Sequence, residues 1–264
     1  MKLRKRKLYN LSAAVIGSSG NFGKEIVKCF LESTSWSSIV LINRRKLNDV
    51  TILNLSYYED KVKEYIVETN DIERFENSCM GILSMEQCHC LFIAMGIGAE
   101  QHLDKGMIRR RYVDIPMAFA RGAKQGTPTI KHVSILTGIG LEKGSIPYTH
   151  DQFGLVPSLI SKYDLQEGVR TQTVKKLIGL RFPSLSIFRT TTLIGKQILP
   201  NIIGESMVLD AYNMLLDDKD KVIKEKTSGS AHWDGTVLRT EKSEMKSYYN
   251  NISSPLLKTL NSYL

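Results

Sequence analysis

The chain has 264 residues, 42% of them hydrophobic and 24% charged, a balance that excludes wholesale disorder. Its 19 glycines and 7 prolines exclude a collagen-like or proline-rich architecture. The net charge is +9, yet five basic residues (Lys2, Arg4, Lys5, Arg6 and Lys7) crowd the first eight positions, so the remaining body is only mildly basic and does not by itself call for nucleic acid.

Residues 1–11 therefore read as a basic arm, either a solvated terminus or a contact for an anionic partner. The four cysteines, at 29, 79, 88 and 90, are too sparse for a disulfide framework and fit a reduced, intracellular setting. The cytoplasm is the expected compartment, with a mitochondrial one as the alternative that the basic arm leaves open. No apolar run reaches the roughly 18–20 residues that a membrane span needs.

Folded structure is expected from about residue 12. Ser12–Gly17 reads as a short buried strand. Gly20 to Ser33 has helical spacing, with Phe22, Ile26, Val27, Phe30 and Leu31 on one face. Ser38–Asn43 is a second strand and Lys61 to Val67 a third. A helix is predicted from Ile72 to Cys79, and a fourth strand over Cys90–Gly96. Arg109 to Lys124 has helical spacing, and Lys131–Thr137 reads as a fifth strand. Ser158 to Leu180 suits a long helix and Ser184–Arg189 a sixth strand. Beyond that the pattern weakens: a helix over Ser206–Asp217, a polar stretch over Asp217–Gly235, then a helix and tail over Glu241–Leu264.

Strands that are apolar nearly throughout and alternate with helices call for a parallel sheet covered on both faces. The expected fold is α/β, a doubly wound parallel sheet over residues 12–200 with a small C-terminal, substrate-side extension over 201–264.

The strongest local motif is Gly17-Ser18-Ser19-Gly20-Asn21-Phe22-Gly23, set between the first strand and the first helix. In such a loop the first glycine permits a tight turn. The second lets backbone approach a pyrophosphate, and the third lets the helix pack close to the sheet. The helix start then offers N–H groups and a positive dipole end to the phosphates. A P-loop fails here, because five residues separate Gly17 from Gly23-Lys24 and Glu25 replaces the magnesium-binding hydroxyl.

The second strand ends in Asn43-Arg44-Arg45, where an NAD site places a carboxylate on the ribose. A guanidinium there can instead pair with a 2′-phosphate, so the expected cofactor is NADP(H) rather than NAD(H).

Together with Asn43-Arg44-Arg45-Lys46-Leu47, Asn70-Asp71-Ile72, Ala94-Met95-Gly96, Val113-Asp114 and Phe188-Arg189, the glycine loop resembles the atypical short-chain dehydrogenase/reductases. The likeness is greatest to their Tat-interacting-protein oxidoreductase-like branch, and it covers about residues 12–195. It implies a Rossmann domain with the dinucleotide at the carboxyl ends of the strands. Gly17, Ser19, Gly20, Asn21, Phe22 and Gly23 would then form the pyrophosphate loop, and Arg44 with Arg45 would meet the 2′-phosphate. Asp71 and Ile72 would sit by the adenine, and Ala94, Met95 and Gly96 would pass under the ribose and pyrophosphate.

The family's chemistry uses a Ser or Thr after the fifth strand and a Tyr-x-x-x-Lys helix. Thr137 fits the first role. Tyr163 is favoured for the second, with Tyr148 as its competitor. The lysine is missing from both settings: Glu167 stands four residues after Tyr163, and Gln152 four after Tyr148. A carboxylate would raise a neighbouring phenol's pKa rather than lower it. Arg170, two helical turns from Tyr163, is a candidate replacement for the lost charge.

Two functions therefore compete. One is an NADP-dependent oxidoreductase that reduces a small carbonyl by hydride transfer. The other is a catalytically weakened cofactor-binding regulator, or a subunit of a larger assembly with a protein partner. Cys88-His89-Cys90 is spaced too tightly for a metal site, and none is expected. Arg109-Arg110-Arg111 reads as the solvated start of a helix.

Overall fold

The computed structural model describes residues 10–47, 55–95, 105–138, 172–190, 192–193, 196–197, 200–215, 231–232 and 236–240. Strands β1 (Leu11–Ile16), β2 (Trp36–Asn43), β3 (Val62–Ile66), β4 (Cys90–Ile93), β5 (His132–Gly138) and β6 (Ser184–Thr190) alternate with helices, as the apolar runs predict. The helices are α1 (Asn21–Glu32), α2 (Ile72–Glu86), α3 (Lys105–Arg109), α4 (Ile115–Gly126), α5 (172–179) and α6 (Pro200–Leu215). Short strands β7 (Thr192–Leu193) and β8 (Lys196–Gln197) form a separate hairpin. Strands β9 (Ala231–His232) and β10 (Thr236–Thr240) complete the main sheet.

The order across that sheet is β3-β2-β1-β4-β5-β6-β10-β9, with every described pairing parallel except β9 on β10. This is a doubly wound Rossmann sheet. Strand order reverses between β1 and β4, and in open sheets of this kind ligands bind outside the carboxyl ends of the strands at such a switch point. The register sets one level across the sheet: Ile16 lies beside Ile42 and Ile93, Ile93 beside Ile135, and Ile135 beside Ile187.

Each face has its own core. On one face Phe30, Trp36 and Phe92 meet edge to face, with Phe30 4.7 Å from Trp36 and 4.9 Å from Phe92, beneath α1 and α6. Helix α6 approaches α1 closely. A Cβ on Gly204 would come within 2.9 Å of the Glu25 and Ile26 backbone, so glycine is what lets the two helices touch. On the other face Phe75, Leu83, Phe119, Ile135 and Leu177 pack between α2, α4, α5 and the sheet. The backbone of Gly122 and Gly126 lies so near α2 that Cβ atoms there would fall 2.5 Å from the Glu76 carbonyl and 2.3 Å from that of Met80.

Several boundaries differ from the sequence expectation, each for a local reason. Helix α2 runs to Glu86 rather than Cys79, and ends where Gln87 takes a left-handed conformation (φ 49°) and its N–H bonds the Leu83 carbonyl. Strand β4 stops at Ile93 rather than Gly96, although the Ala94 N–H still bonds the Ile16 carbonyl. The helix expected over Arg109 to Lys124 is broken by a π-turn at Arg110–Asp114. Pro116 explains the break: it has no N–H to give the Tyr112 carbonyl, one α-helical turn back. The hydroxyl of Thr173 on α5 donates to that carbonyl instead. Helix α6 starts at Pro200, six residues before the expected Ser206. It lies over the same sheet as α1, and β10 pairs with β6. The basic arm over 1–9, the first part of the long helix (158–171) and the C-terminal helix and tail (241–264) lie outside the described residues.

Lys61, before β3, ties the sheet edge to the end of α1. Its Nζ donates to the carbonyls of Phe30 (2.6 Å), Leu31 (3.2 Å) and Ser33 (2.6 Å). An ammonium at a helix C-terminus satisfies orphan carbonyls and the negative dipole end together. Lys61→Met keeps the stem and removes the charge, and should cost about 1–2 kcal/mol in urea unfolding. An unchanged midpoint would show that the cap contributes nothing.

Candidate functional site

The glycine loop sits at the switch point, at the carboxyl end of β1. Gly17 adopts φ +81°, which a side chain rarely tolerates, and a Cβ there would lie 2.6 Å from the Ala94 carbonyl. The turn thus passes directly against the end of β4. Gly23 is tighter still, since its Cβ would lie 2.0 Å from the Gly17 carbonyl oxygen. Gly20 differs: a Cβ would meet only the Gly17 oxygen at 3.4 Å, an ordinary contact. The first and third glycines are demanded by the protein's own packing, whereas the second has room on the protein side. Ser19, Gly20 and Asn21 are exposed, and Phe22 is half-buried.

Helix α1 begins without a cap. Its N-cap residue, Gly20, has no side chain to offer, and the first turn carries no acid. The first-turn N–H groups have no intrahelical acceptor, and among the described residues no side chain caps them and no acid sits in the first turn. A pyrophosphate fits that cradle, because it needs backbone donors and an approach free of Cβ atoms.

A chain of hydrogen bonds anchors the cradle to the neighbouring strands. The buried Ser18 hydroxyl donates to Asn43 Oδ1 (2.6 Å), and Asn43 Nδ2 donates to Glu64 Oε1 on β3 (2.7 Å). That same oxygen accepts from the Leu47 N–H (2.9 Å), which closes the turn carrying Arg44 and Arg45. Both arginines are exposed, immediately past β2. Sequence reasoning identified the arginines but missed Ser18, Asn43 and Glu64 as their support, because Glu64 reaches them only through the pairing of β3 with β2.

Asp71 and Ile72 follow β3 on the same side of the sheet, since β3 runs parallel to β2 and Ile66 pairs with Asn43. Asp71 is the N-cap of α2, and its carboxylate accepts from the Arg74 N–H (3.1 Å). Arg110 of the π-turn donates to the Thr69 and Asn70 carbonyls and so fixes this loop from the other side. Ala94 is buried and Met95 half-buried, against the glycine turn. Gly96 lies outside the described residues.

Thr137 is buried on β5, paired with Arg189 of β6 and two residues past the common level of Ile16 and Ile135. It therefore stands on the same carboxyl side of the sheet as the glycine loop. Tyr163 and Tyr148, with Glu167, Gln152 and Arg170, lie outside the described residues.

The Cys88-His89-Cys90 segment is structural. Both thiols are buried, and burial pushes the Cys88 pKa up to about 12 and that of Cys90 well above its usual value. His89 Nδ1 accepts from the Ser12 N–H (3.1 Å) and lies 2.8 Å from the Ser12 hydroxyl, which seals the start of β1 to β4. Among the described residues no three His, Cys, Asp or Glu side chains gather as metal ligands, and no helix is long and apolar enough to cross a membrane.

A second polar group, which the sequence did not announce, lies on the opposite half of the sheet. His132 is fully buried, with Nδ1 2.9 Å from the Ser184 hydroxyl and Nε2 2.9 Å from that of Ser134. Asp210 of α6 accepts from the Ser186 hydroxyl at 2.5 Å, and its Oδ2 is 3.6 Å from His132 Nε2. Burial lowers the His132 pKa to about 3. It raises that of Asp210 to about 6, against the pull of the Ser186 bond.

No family model matches the chain. Among solved structures, a carbonyl reductase from Pseudomonas aeruginosa PAO1 is similar, with a TM-score of 0.55 and 12% identity over 77% of this chain and 91% of that one. A short-chain dehydrogenase/reductase variant from Serratia marcescens also reaches 0.55, at 10% identity over 90% of this chain and 99% of that one. Gre2 from Candida albicans, in complex with NADPH, gives 0.52 at 13% identity; the match takes in 71% of this chain but only 59% of that longer one. At such identities the likeness is one of fold. This chain has the doubly wound Rossmann architecture found in short-chain dehydrogenase/reductases.

Proposed function

We propose that this protein binds NADP(H) at the carboxyl ends of β1, β2 and β4, as an atypical short-chain dehydrogenase/reductase of the Tat-interacting-protein oxidoreductase-like kind. The observation that carries the reading is the open start of α1: an uncapped, acid-free helix end at Gly20, where the backbone carries no side chain, beside two exposed arginines. Ser19, Gly20, Asn21 and Phe22 would hold the pyrophosphate through backbone N–H groups. Arg44, with Arg45, would pair with the 2′-phosphate. Asp71 and Ile72 would lie by the adenine, while Ala94, Met95 and Gly96 would floor the ribose. The NADPH in the Gre2 structure, on the same fold, supports the choice of cofactor.

NADP(H), when bound, supplies a hydride donor or acceptor. The chain's own contribution to the reduction of a small carbonyl would be Thr137, to hydrogen-bond the carbonyl oxygen, and Tyr163, to pass it a proton. In this reading the chain beyond residue 200 would also supply the substrate side, while its α6 and β10 belong with the nucleotide-binding sheet.

A second reading is favoured by one specific observation: Glu167 stands where the family's lysine would lower the pKa of Tyr163. A chain with that substitution would bind the dinucleotide but turn over slowly, and would act as a regulator or as a subunit beside a protein partner. NADPH oxidation against a panel of small aldehydes and ketones separates the two readings. Glu167→Lys should raise any rate that is found.

The cofactor assignment has its own test. In a fluorescence titration Arg44→Ala should weaken NADPH about tenfold, the loss of one charge-assisted bidentate pair, and leave NADH unchanged. Equal loss for both cofactors would remove Arg44 from the 2′-phosphate site.

A further inference from the structure

The end of β2 holds a feature that a phosphate site would not be expected to tolerate. A carboxylate, Glu64, reaches in from the neighbouring strand to residues on either side of the two arginines. It accepts two hydrogen bonds on one oxygen, from Asn43 Nδ2 (2.7 Å) and from the Leu47 N–H (2.9 Å). Asn43 in turn accepts from the buried Ser18 of the glycine loop (2.6 Å).

The geometry points to Glu64 as the positioning residue that sets cofactor preference: it ties the Arg44–Leu47 turn to the glycine loop, so that the arginines and the phosphate cradle face one ligand in a fixed relation. This rests on the NADP(H) reading above and deepens it.

Glu64 acts by connection. Arg44 and Arg45 stand on an exposed turn with no regular structure of their own. An exposed arginine loses rotamer freedom when it grips a phosphate, and a moving backbone would add to that loss. The Leu47 bond closes the far end of the turn, and strand β2 holds the near end. The second bond of Glu64 orients the Asn43 amide so that its oxygen faces Ser18 and its nitrogen faces β3. One side chain therefore determines two positions, the arginine turn and the first residue of the cradle. A glutamine could reproduce both acceptor contacts through its amide oxygen; a methionine of the same length could reproduce neither.

The experiment compares wild type, Glu64→Gln and Glu64→Met, each checked for folding by circular dichroism, with NADPH and NADH titrated separately. Hydrogen exchange at the Leu47 amide is followed without cofactor. The expected result is a preference for NADPH in wild type that Glu64→Gln keeps or raises and Glu64→Met lowers about tenfold. Exchange at Leu47 should be slow in the first two proteins and fast in the third.

If both variants raise the preference alike, Glu64 acts as a charge that repels the 2′-phosphate, and positioning is overturned. If Leu47 exchanges equally in all three, the bond does not hold the turn and the proposal fails. If wild type binds neither dinucleotide, the NADP(H) reading fails, whereas the Leu47 exchange still shows whether Glu64 organises the turn. Should Glu64→Met not fold, Leu47→Pro removes the same bond from the turn's side; an unchanged NADPH-to-NADH ratio in that variant would overturn the proposal.

Discussion

Gly23→Ala is expected to destabilise the protein by about 3 kcal/mol, whereas Gly20→Ala, three residues away, leaves stability within about 1 kcal/mol. The two Cβ atoms would enter different surroundings. At Gly23 the new atom meets backbone, the Gly17 carbonyl oxygen at 2.0 Å and Ser18 Cα at 2.7 Å, so either the loop or the first turn of α1 must move. The better helix propensity of alanine returns no more than about 1 kcal/mol. At Gly20 the nearest atom is 3.4 Å away, and the protein has room. The space on the other side is where a pyrophosphate would lie against the helix start. Gly20→Ala should therefore weaken NADPH about a hundredfold in a protein of normal stability. Urea unfolding and a NADPH titration on both variants check the pair. Equal binding by wild type and Gly20→Ala would show that no ligand approaches the backbone at that glycine.

The second large effect concerns the buried His132 and Asp210. Asp210 has its folded pKa raised from 3.8 to about 6 by burial, so it favours folding while protonated; that stability is present at low pH and is lost as pH rises through about 6. His132 works in the other direction. Its folded pKa is depressed from 6.5 to about 3, so its stability is present above 6.5 and is lost as pH falls toward 3. In the wild type the two opposing trends should flatten the profile between pH 4 and 6.5.

Asp210→Asn removes one of them. The amide can still accept from Ser186, and no buried carboxylate remains to be charged at neutral pH. One pKa unit is worth about 1.4 kcal/mol, so a rise of about two units bounds the gain near 3 kcal/mol. We expect the variant to be about 1–3 kcal/mol more stable than wild type at pH 8. It should lose that advantage at pH 4, where its stability falls steeply as His132 resists protonation. Urea unfolding from pH 4 to 8 measures both limbs. A variant that is less stable than wild type at pH 8 would mean that Asp210 is held as a carboxylate by its partners.

The legible parts of this fold were those written in one stretch of chain. Strands β1, β2 and β4 are apolar on both faces, and the glycine loop follows β1 directly, so the doubly wound sheet and the loop at its switch point could be read together. The misread parts carry a weak local signal or depend on partners far along the chain. Helix α2 ends on a left-handed Gln87, a position with no glycine to mark it. The π-turn before α4 had a visible cause, Pro116, but its acceptance depends on Thr173, 57 positions further on. Pro200 at the first position of α6 was an available start signal that periodicity alone passed over. Strand β10 is five residues long, and only its pairing with β6 marks it as part of the sheet.

The site divides in the same way. Arg44 and Arg45 could be named from their place after β2. The hydrogen bonds from Ser18 through Asn43 to Glu64 could not, because they need the register of three strands. The His132–Asp210 pair joins β5 to α6, and neither residue carries a sequence pattern that predicts the other.

The loop from Gly17 to Gly23 and the turn at Arg44 are proposed to hold NADP(H) together. Urea unfolding of the wild-type protein with NADPH or NADH, each titrated over a wide range, tests it most directly. A ligand that binds only the folded state stabilises it by about 2.7 kcal/mol at a hundred times its dissociation constant. NADPH is expected to reach such stabilisation at a concentration at least tenfold lower than NADH does. No stabilisation by either dinucleotide would contradict that proposal.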